Sequence, residues 1–206
     1  MSSAPESSLA RDSMKSNASI TFLLAFSCLA GAATPESKIK AEGVSLTFGS
    51  VEYLHRWSKD EQHEFTPRGQ EDLDRWSDMM TINRYLSVTD GVGLAATANA
   101  VLENYKNHRA MILRTDSVPR TTDKPAEYLI VVLFPNPDFI EAAFARFKIA
   151  GGVGTSTVYS HREYGKKIGD QMSSWLKTNG PTTEKALMSW EGIPLLGAAK
   201  NKTAKP

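Results

Sequence analysis

The chain has 206 residues, enough for one domain of ordinary size, and its 24 basic and 23 acidic residues leave a formal net charge of +1. This balance gives no electrostatic attraction to nucleic acid or to an anionic membrane, so neither is expected as a partner. The single cysteine, Cys28, excludes an intramolecular disulfide and a zinc site built from several thiolates.

The first segment has the three parts of a secretory signal peptide. Met14 and Lys15 give a cationic start, residues 20–30 carry no charge, and small residues follow up to position 33. The apolar part is shorter than the roughly 20 residues that span a bilayer, so we expect removal rather than a retained membrane helix. The sequence therefore predicts a leader over residues 1–33, with Met14 as the start that fits best, and a periplasmic or secreted mature protein.

Two alternatives to a cleaved leader remain. The apolar stretch can also pack as a core helix, although the small residues at its end suit cleavage better. Cys28 can serve as a lipid attachment site, but the leucine usually found three residues earlier is replaced by Ala25. A lipoprotein is therefore the less favoured interpretation.

The predicted mature part begins with short strands. Alternating apolar residues predict a strand over residues 44–48 and a hairpin over residues 51–66, with its tip in the polar run 58–62. In the first arm of this hairpin, Tyr53, His55 and Trp57 share one side of the strand.

Helical spacing of apolar residues predicts most of the other elements. The segment 91–106 has the clearest stripe, and Asp90 can cap its start. Asn136 and Pro137 suit the start of a helix that would end at the glycines 151–152. The predicted helices cover residues 70–80, 91–106, 137–150, 168–178 and 181–190.

The remaining strands are predicted at residues 111–115, 128–134 and 153–164. The second of these is apolar at every position, so both of its faces should be covered, as in a central strand. A helix over residues 137–150 between two strands allows one β-α-β crossover. We therefore predict an α+β fold, a mixed, largely antiparallel sheet covered by helices, in a single domain over residues 34–197 with a disordered tail over 198–206.

The histidines of the first hairpin predict no metal site. His55 and His63 would face each other only if Lys59 were the centre of the turn, and a turn at Asp60 or Glu61 suits the polar run better. Even a facing pair offers two ligands where zinc usually takes at least three protein groups. His55 on the packed side of the strand needs a hydrogen-bond partner but need not do chemistry.

A second candidate site lies at the end of the strand 153–164. His161, Arg162 and Glu163 offer a base, an anion-binding group and an acid where sites often gather in sheet proteins. The strand is polar on both faces, which also fits a solvated edge strand, and this is the commoner situation.

Two glycine motifs point to no cofactor. Residues 91–96 fit G-x-G-x-x-A, but the preceding segment 81–89 is too polar for the buried first strand of a dinucleotide fold. The glycines at 151–154 follow a predicted helix and precede a strand, the reverse of a phosphate-binding loop. No cofactor is therefore predicted, and the patterns G-x-S-x-G and H-E-x-x-H are absent from the chain.

Two functional hypotheses follow. The first is an exported, soluble binding or accessory protein without chemistry of its own, which meets a protein or glycan of the cell envelope. Its predicted contacts are Lys59 at the hairpin tip, Arg114, Arg120 and Lys124 in the long loop near 116–125, and Arg162. That loop can equally be a plain solvated connection.

The alternative is an exported, hydrolase-like enzyme in which His161 or His55 acts as the base. Asp116, Arg114 or Arg162 would assist the reaction. Convergence of two of these groups in one concave pocket would favour the enzyme, and scattered positions would favour the binding protein.

Overall fold

The computed structural model describes residues 44–194 and 196; the predicted leader 1–33 and tail 198–206 lie outside the described residues. The described elements are eight strands and two helices. The strands are β1 (Ser45–Phe48), β2 (Val51–Lys59), β3 (Gln62–Pro67), β4 (Asp78–Tyr85), β5 (Met111–Val118), β6 (Glu127–Pro135), β7 (Phe139–Ala150) and β8 (Val153–Tyr164). The helices are α1 (Gly91–Asn107) and α2 (Ile168–Ser189).

All eight strands form one sheet in the order β1-β2-β3-β4-β8-β7-β6-β5, and every neighbouring pair is antiparallel. The predicted mixed α+β sheet with a β-α-β crossover is therefore wrong for the described residues. Helix α1 packs on β6 and β7, and α2 packs on β7 and β8 from the opposite face. The main core lies under α2, around Phe65, Phe144 and Leu187.

Strand β7 takes the place of the predicted helix over residues 137–150, which removes the crossover. In β7, Ala142, Phe144 and Arg146 point towards α2, while Ala143 and Phe147 point to the other face, and all are buried. A strand covered on both faces loses its polar–apolar alternation, so its apolar residues also fit a helical stripe. The prolines and Asn136 form the turn before it, where Asn136 N donates to Phe139 O at 2.9 Å.

The predicted helix over residues 70–80 is also wrong. Residues 70–77 form a loop, and Met79 and Met80 belong to β4. The side-chain oxygen of Gln70 accepts from the backbone N of Ser77 and Asp78 at 2.8 and 2.9 Å. These side-chain bonds replace the helical backbone bonds that the apolar spacing had predicted.

Helix α1 confirms its prediction, including the cap: Asp90 Oδ1 accepts from Gly93 N at 2.7 Å. Helix α2, in contrast, runs unbroken through Gly180 and Pro181, where a helix end was predicted. Met172 before the proline and Leu187 after it are both buried against the sheet. This docking on both sides of Pro181 outweighs the local preference for a break.

The predicted pairing of β5 with β6 is confirmed. Residues 129–132 of β6 are buried, as its apolar run predicted. The strand lies next to the sheet edge, however, rather than at the centre, because β5 is the only strand beyond it.

The alternating strand directions bring four connections to one end of the sheet. The C-terminal ends of β2, β4, β7 and β5 all lie there, because these strands occupy every second place in the order. Their connections are the turn at 60–61, the segment 86–90, the turn at 151–152 and the loop 119–126. We call this the loop end of the sheet.

Candidate functional site

His161 lies in a cluster at the other end of the sheet, where β4 begins and β8 ends. Its Nδ1 is 3.0 Å from Asp78 Oδ1, and its Nε2 is 3.3 Å from Glu163 Oε1. The ring stacks on Trp175 of α2, with ring centroids 4.1 Å apart and planes at 7°. Tyr159 completes the cluster, because its hydroxyl donates to Asp78 Oδ1 at 2.6 Å.

The hydrogen bonds of this cluster favour an ionised Asp78. Burial alone raises the pKa of Asp78, but the hydrogen bonds from His161 and Tyr159 and the charge of His161 outweigh burial and lower it. For Tyr159, burial and then the Asp78 charge raise the pKa of the phenol far above its ordinary value. Tyr159 is therefore a hydrogen-bond donor to a carboxylate and no source of a phenolate.

This arrangement holds the imidazole in place and leaves no nitrogen for a substrate. Each ring nitrogen of His161 faces a carboxylate, and both can donate at once only in the protonated ring. Arg162, predicted to assist, points to the opposite face because neighbouring residues in a strand alternate. The geometry therefore suits an ionic cluster that fixes α2 to the sheet.

Arg162 is occupied on its own face of the sheet. Its guanidinium carbon lies 3.8 Å from the ring centroid of Trp76 and 4.1 Å from that of Phe139. Its Nε donates to Glu141 at 2.9 Å, and the side chain is only 10% exposed. The predicted role of Arg162 in partner binding is not favoured by this burial.

His55 and His63 form a second pair on β2 and β3, the second and third strands from the β1 edge, and lie on the same face as α2. The hairpin turns at Asp60 and Glu61, so His63 pairs with Ser58 rather than with His55, and the two rings lie 5.8 Å apart. Within the described residues, neither ring nitrogen of His55 has a hydrogen-bond partner, nor has Nδ1 of His63. Burial lowers the pKa of both imidazoles, and the neighbouring His55 lowers that of His63 further.

Acidification should therefore destabilise this hairpin. The folded pKa of each histidine lies below its ordinary value of 6.5, so above that pH both the folded and the unfolded chain hold it neutral and stability is unaffected. As the pH falls below 6.5, the unfolded chain binds the proton first, and the free energy of unfolding decreases. We expect the urea midpoint to fall between pH 7.5 and 5.5, and His55→Phe to reduce that fall. The exposed His108 offers a control, since His108→Gln should leave the fall as it is; an equal effect of the two variants would contradict the prediction.

The predicted contact residues of the long loop are exposed. Every residue from 111 to 125 is exposed. Arg114 pairs with Asp116 and, at 3.0 Å, with Glu184 of α2, so the predicted assisting pair is engaged with itself and with the helix. Arg120 and Lys124 form no ion pair with the described part of the chain.

An open cleft of about 580 Å³ lies at the loop end. Arg84, Lys148 and Glu191 contribute its charged groups, but Arg84 is bound to Glu61 and Lys148 to Glu191, at 3.0 and 2.6 Å. None of the predicted catalytic residues lines this cleft. His161, His55 and Asp116 are instead dispersed over β8, β2 and β5, with two strands between β2 and β8 and two between β8 and β5.

Sequence reasoning missed the groups that surround His161. Asp78 was placed inside a predicted helix, and Trp175 was counted only as an apolar stripe residue. A tyrosine two residues before His161 and a glutamate two residues after it share its face of a strand, and this signal was available. Asp78 lies 83 residues away along the chain, and only the pairing of β4 with β8 brings it there.

Residues 44–194 and 196 contain no group of metal-ligating side chains and no helix that could span a membrane. Among them, no three histidine, cysteine or acidic side chains are grouped so that they could hold a metal ion. Neither α1 nor α2 is long and apolar enough to cross a membrane. The prediction of no integral membrane segment is confirmed to that extent.

The fold and these sites define a class: an eight-stranded antiparallel sheet with one helix against each face. No protein-family model matches the chain, and no curated protein matches it. Among solved structures it is similar to the Ran-binding protein Mog1p of Saccharomyces cerevisiae, at 13% identity and a TM-score of 0.37 over 65% of this chain and 78% of that one.

Two further solved structures show weak likeness of the same kind. A mutant of Mog1 has 13% identity and a TM-score of 0.36, with 65% and 78% of the two chains covered. Human STARD10 has 11% identity and a TM-score of 0.27, with 67% and 74% covered. These values assign neither a family nor a function.

Proposed function

We propose that the protein is an exported, non-catalytic binding protein that holds an acidic partner of the cell envelope at its loop end. The observation that carries this proposal is the sheet topology. It places the hairpin tip with Lys59 and the loop 119–126 at the same end of the sheet, although they are distant in sequence.

The two connections are close enough for one partner to span. Strands β3 and β6 are four places apart in the sheet, which corresponds to about 19 Å at the usual strand spacing. The cleft with Arg84 and Lys148 lies at the same end. A partner of ordinary interface size can therefore touch the tip, the cleft and the loop together.

Two cations in the loop are available to such a partner. Arg120 and Lys124 are exposed, and neither is in an ion pair with the described residues. The loop is ordered by its own bonds, because Thr121 N donates to Lys124 O at 2.9 Å and Lys124 N donates to Thr121 Oγ1 at 3.1 Å. A preformed loop loses little conformational freedom on binding, which favours recognition over a plain solvated connection.

The positions of the histidines support binding rather than catalysis. His161 lies at the opposite end of the sheet from the loop end, with both ring nitrogens against carboxylates. His55 lies against His63 and Phe65, and neither of its ring nitrogens has a hydrogen-bond partner among the described residues. The hydrolase-like alternative would need these groups to meet, and they do not share a pocket.

Capture of partners from an envelope fraction tests the proposal, with the full chain as bait. The double variant Arg120→Glu/Lys124→Glu should reduce capture about tenfold at low salt, and the loss should be smaller at high salt, because charge attraction is screened. Protease treatment of the captured material separates a protein from an acidic glycan. N-terminal sequencing of the chain from its host, beginning near residue 34, tests export in the same preparation.

A matched control carries the same change of charge away from the loop end. Lys177→Glu/Lys185→Glu alters two exposed positions of α2 and should capture partners like the unchanged chain. Equal capture by the loop variant and this control would rule out the loop end as the binding surface.

A further inference from the structure

Strand β5 is the edge of the sheet and is unusually exposed. Among the described strands it pairs with β6 alone, and all eight of its residues are exposed. Seven large apolar side chains are exposed in the described residues, and four of them lie in this strand: Met111, Ile112, Leu113 and Val118. A long apolar edge with open backbone groups is a template for pairing with another strand.

The register shows which backbone groups of β5 are open. Ala150 and Val153 flank the two-residue turn between β7 and β8, so they form a hydrogen-bonded pair. Along a strand, the backbone groups of successive residues point alternately to the neighbour on one side and to the neighbour on the other. Following this alternation from β7 through β6 to β5 shows that the backbone N–H and C=O groups of Thr115 and Ser117 point away from β6. The bond from Ser117 N to Asp116 Oδ1, at 2.8 Å, agrees with an outward N–H that lacks a strand partner.

The side chains around Thr115 are complementary to their own copies. In an antiparallel pairing centred on Thr115, Arg114 lies opposite Asp116 of the other copy, and Asp116 lies opposite its Arg114. Both residues lie on the α2 face, so opposite charges meet twice by symmetry. Thr115 meets its own copy in a hydrogen-bonded pair, and paired threonines are favourable across strands.

We propose that β5 of a second copy of this chain adds to the edge in this register, so that two eight-stranded sheets join into one. The β-bulge between Ile112 and Arg114 ends the regular segment, so the pairing covers residues 113–117. The exposed apolar residues lie at the two ends of this short interface and become partly covered. The two loop ends then point in opposite directions, so the dimer leaves the partner surface proposed above open.

Charge reversal tests the pairing. Light scattering on a size-exclusion column at about 100 µM should show the full chain as a dimer in reducing buffer. In Arg114→Asp, a carboxylate at position 114 lies opposite the carboxylate of Asp116 of the other copy, twice in the dimer. In Asp116→Arg, two guanidinium groups lie opposite each other in the same way. Each variant alone should therefore be monomeric. An equal mixture of the two variants should dimerise again, because every opposite pair is then complementary.

Cross-linking tests the register. In a Cys28→Ser background, Thr115→Cys should form a disulfide-linked dimer on oxidation, since residues in such a pair lie within the Cα separation that a disulfide bridges. Ser117→Cys is the control, because its two copies would be about 14 Å apart along the strands and cannot be bridged.

A monomeric unchanged chain, or a mixture of charge variants that stays monomeric, would overturn the dimer. Equal cross-linking at positions 115 and 117 would overturn the register. These outcomes are independent of partner capture at the loop end, which the dimer neither requires nor blocks. Failure of one proposal therefore leaves the other standing.

Discussion

Replacing Arg146 with alanine should lower the free energy of unfolding by about 3–5 kcal/mol, because it removes one partner from a buried ionic network. Arg146 is 3% exposed. Its guanidinium donates to Glu127 at 2.7 and 2.8 Å, and to the carbonyl oxygens of Leu187 and Trp190 at 3.0 and 2.6 Å. The last carbonyl groups of a helix have no partner within it, so this side chain from β7 caps the end of α2.

Urea denaturation followed by circular dichroism measures the effect. Arg146→Lys should recover only part of the lost stability, because one ammonium group cannot reproduce the planar set of donors that reaches both carbonyls and Glu127. Lys177→Ala, on the exposed side of α2, is the control and should change stability by no more than about 0.5 kcal/mol. A decrease of less than about 1 kcal/mol in the free energy of unfolding for Arg146→Ala would show that α2 docks without the bonds of Arg146.

The sequence predicts elements with one buried face better than strands that are buried on both faces. Elements with one buried face kept their expected pattern, as in α1 with its Asp90 cap and in the hairpin of β2 and β3. Strand β7 is covered on both faces, so its alanines and phenylalanines satisfied a helical and an extended pattern equally. In a helix with that stripe Arg146 would lie outside the apolar face, so its burial could not be predicted from the helical pattern.

The candidate site was predictable to a similar extent. His161, Tyr159 and Glu163 lie on one face of a strand that was correctly predicted, so their proximity follows from period-two spacing. The place of Asp78 in the cluster could not be predicted. The apolar residues after it suited a helix, and its contact with His161 depends on the pairing of β4 with β8. Local patterns predict which residues share a face, whereas the order of strands in a sheet depends on contacts distant in sequence.

Asp78→Asn should lower the free energy of unfolding at pH 7 by about 2 kcal/mol, because it leaves the hydrogen bonds of His161 and Tyr159 without a charged acceptor. The difference from the unchanged chain should shrink on acidification. The folded pKa of Asp78 lies below its ordinary value of 3.8, so its contribution is complete above about pH 4 and is lost as the pH falls through the folded pKa. Urea midpoints between pH 7 and pH 2 measure this, and Asp74→Asn, at an exposed position, should show no difference at any pH.

Asp78→Asn combined with His161→Gln separates a structural cluster from a catalytic one. If Asp78 only anchors His161, then Asp78→Asn and His161→Gln should each lower stability, and the double variant should cost less than the sum, because each single change already breaks the same bond. A histidine poised as a base would instead keep one nitrogen accessible, and removing it would change stability little. Additive losses of stability in the double variant would contradict the coupling, and with it the conclusion that Asp78 and His161 fix α2 to the sheet as one unit.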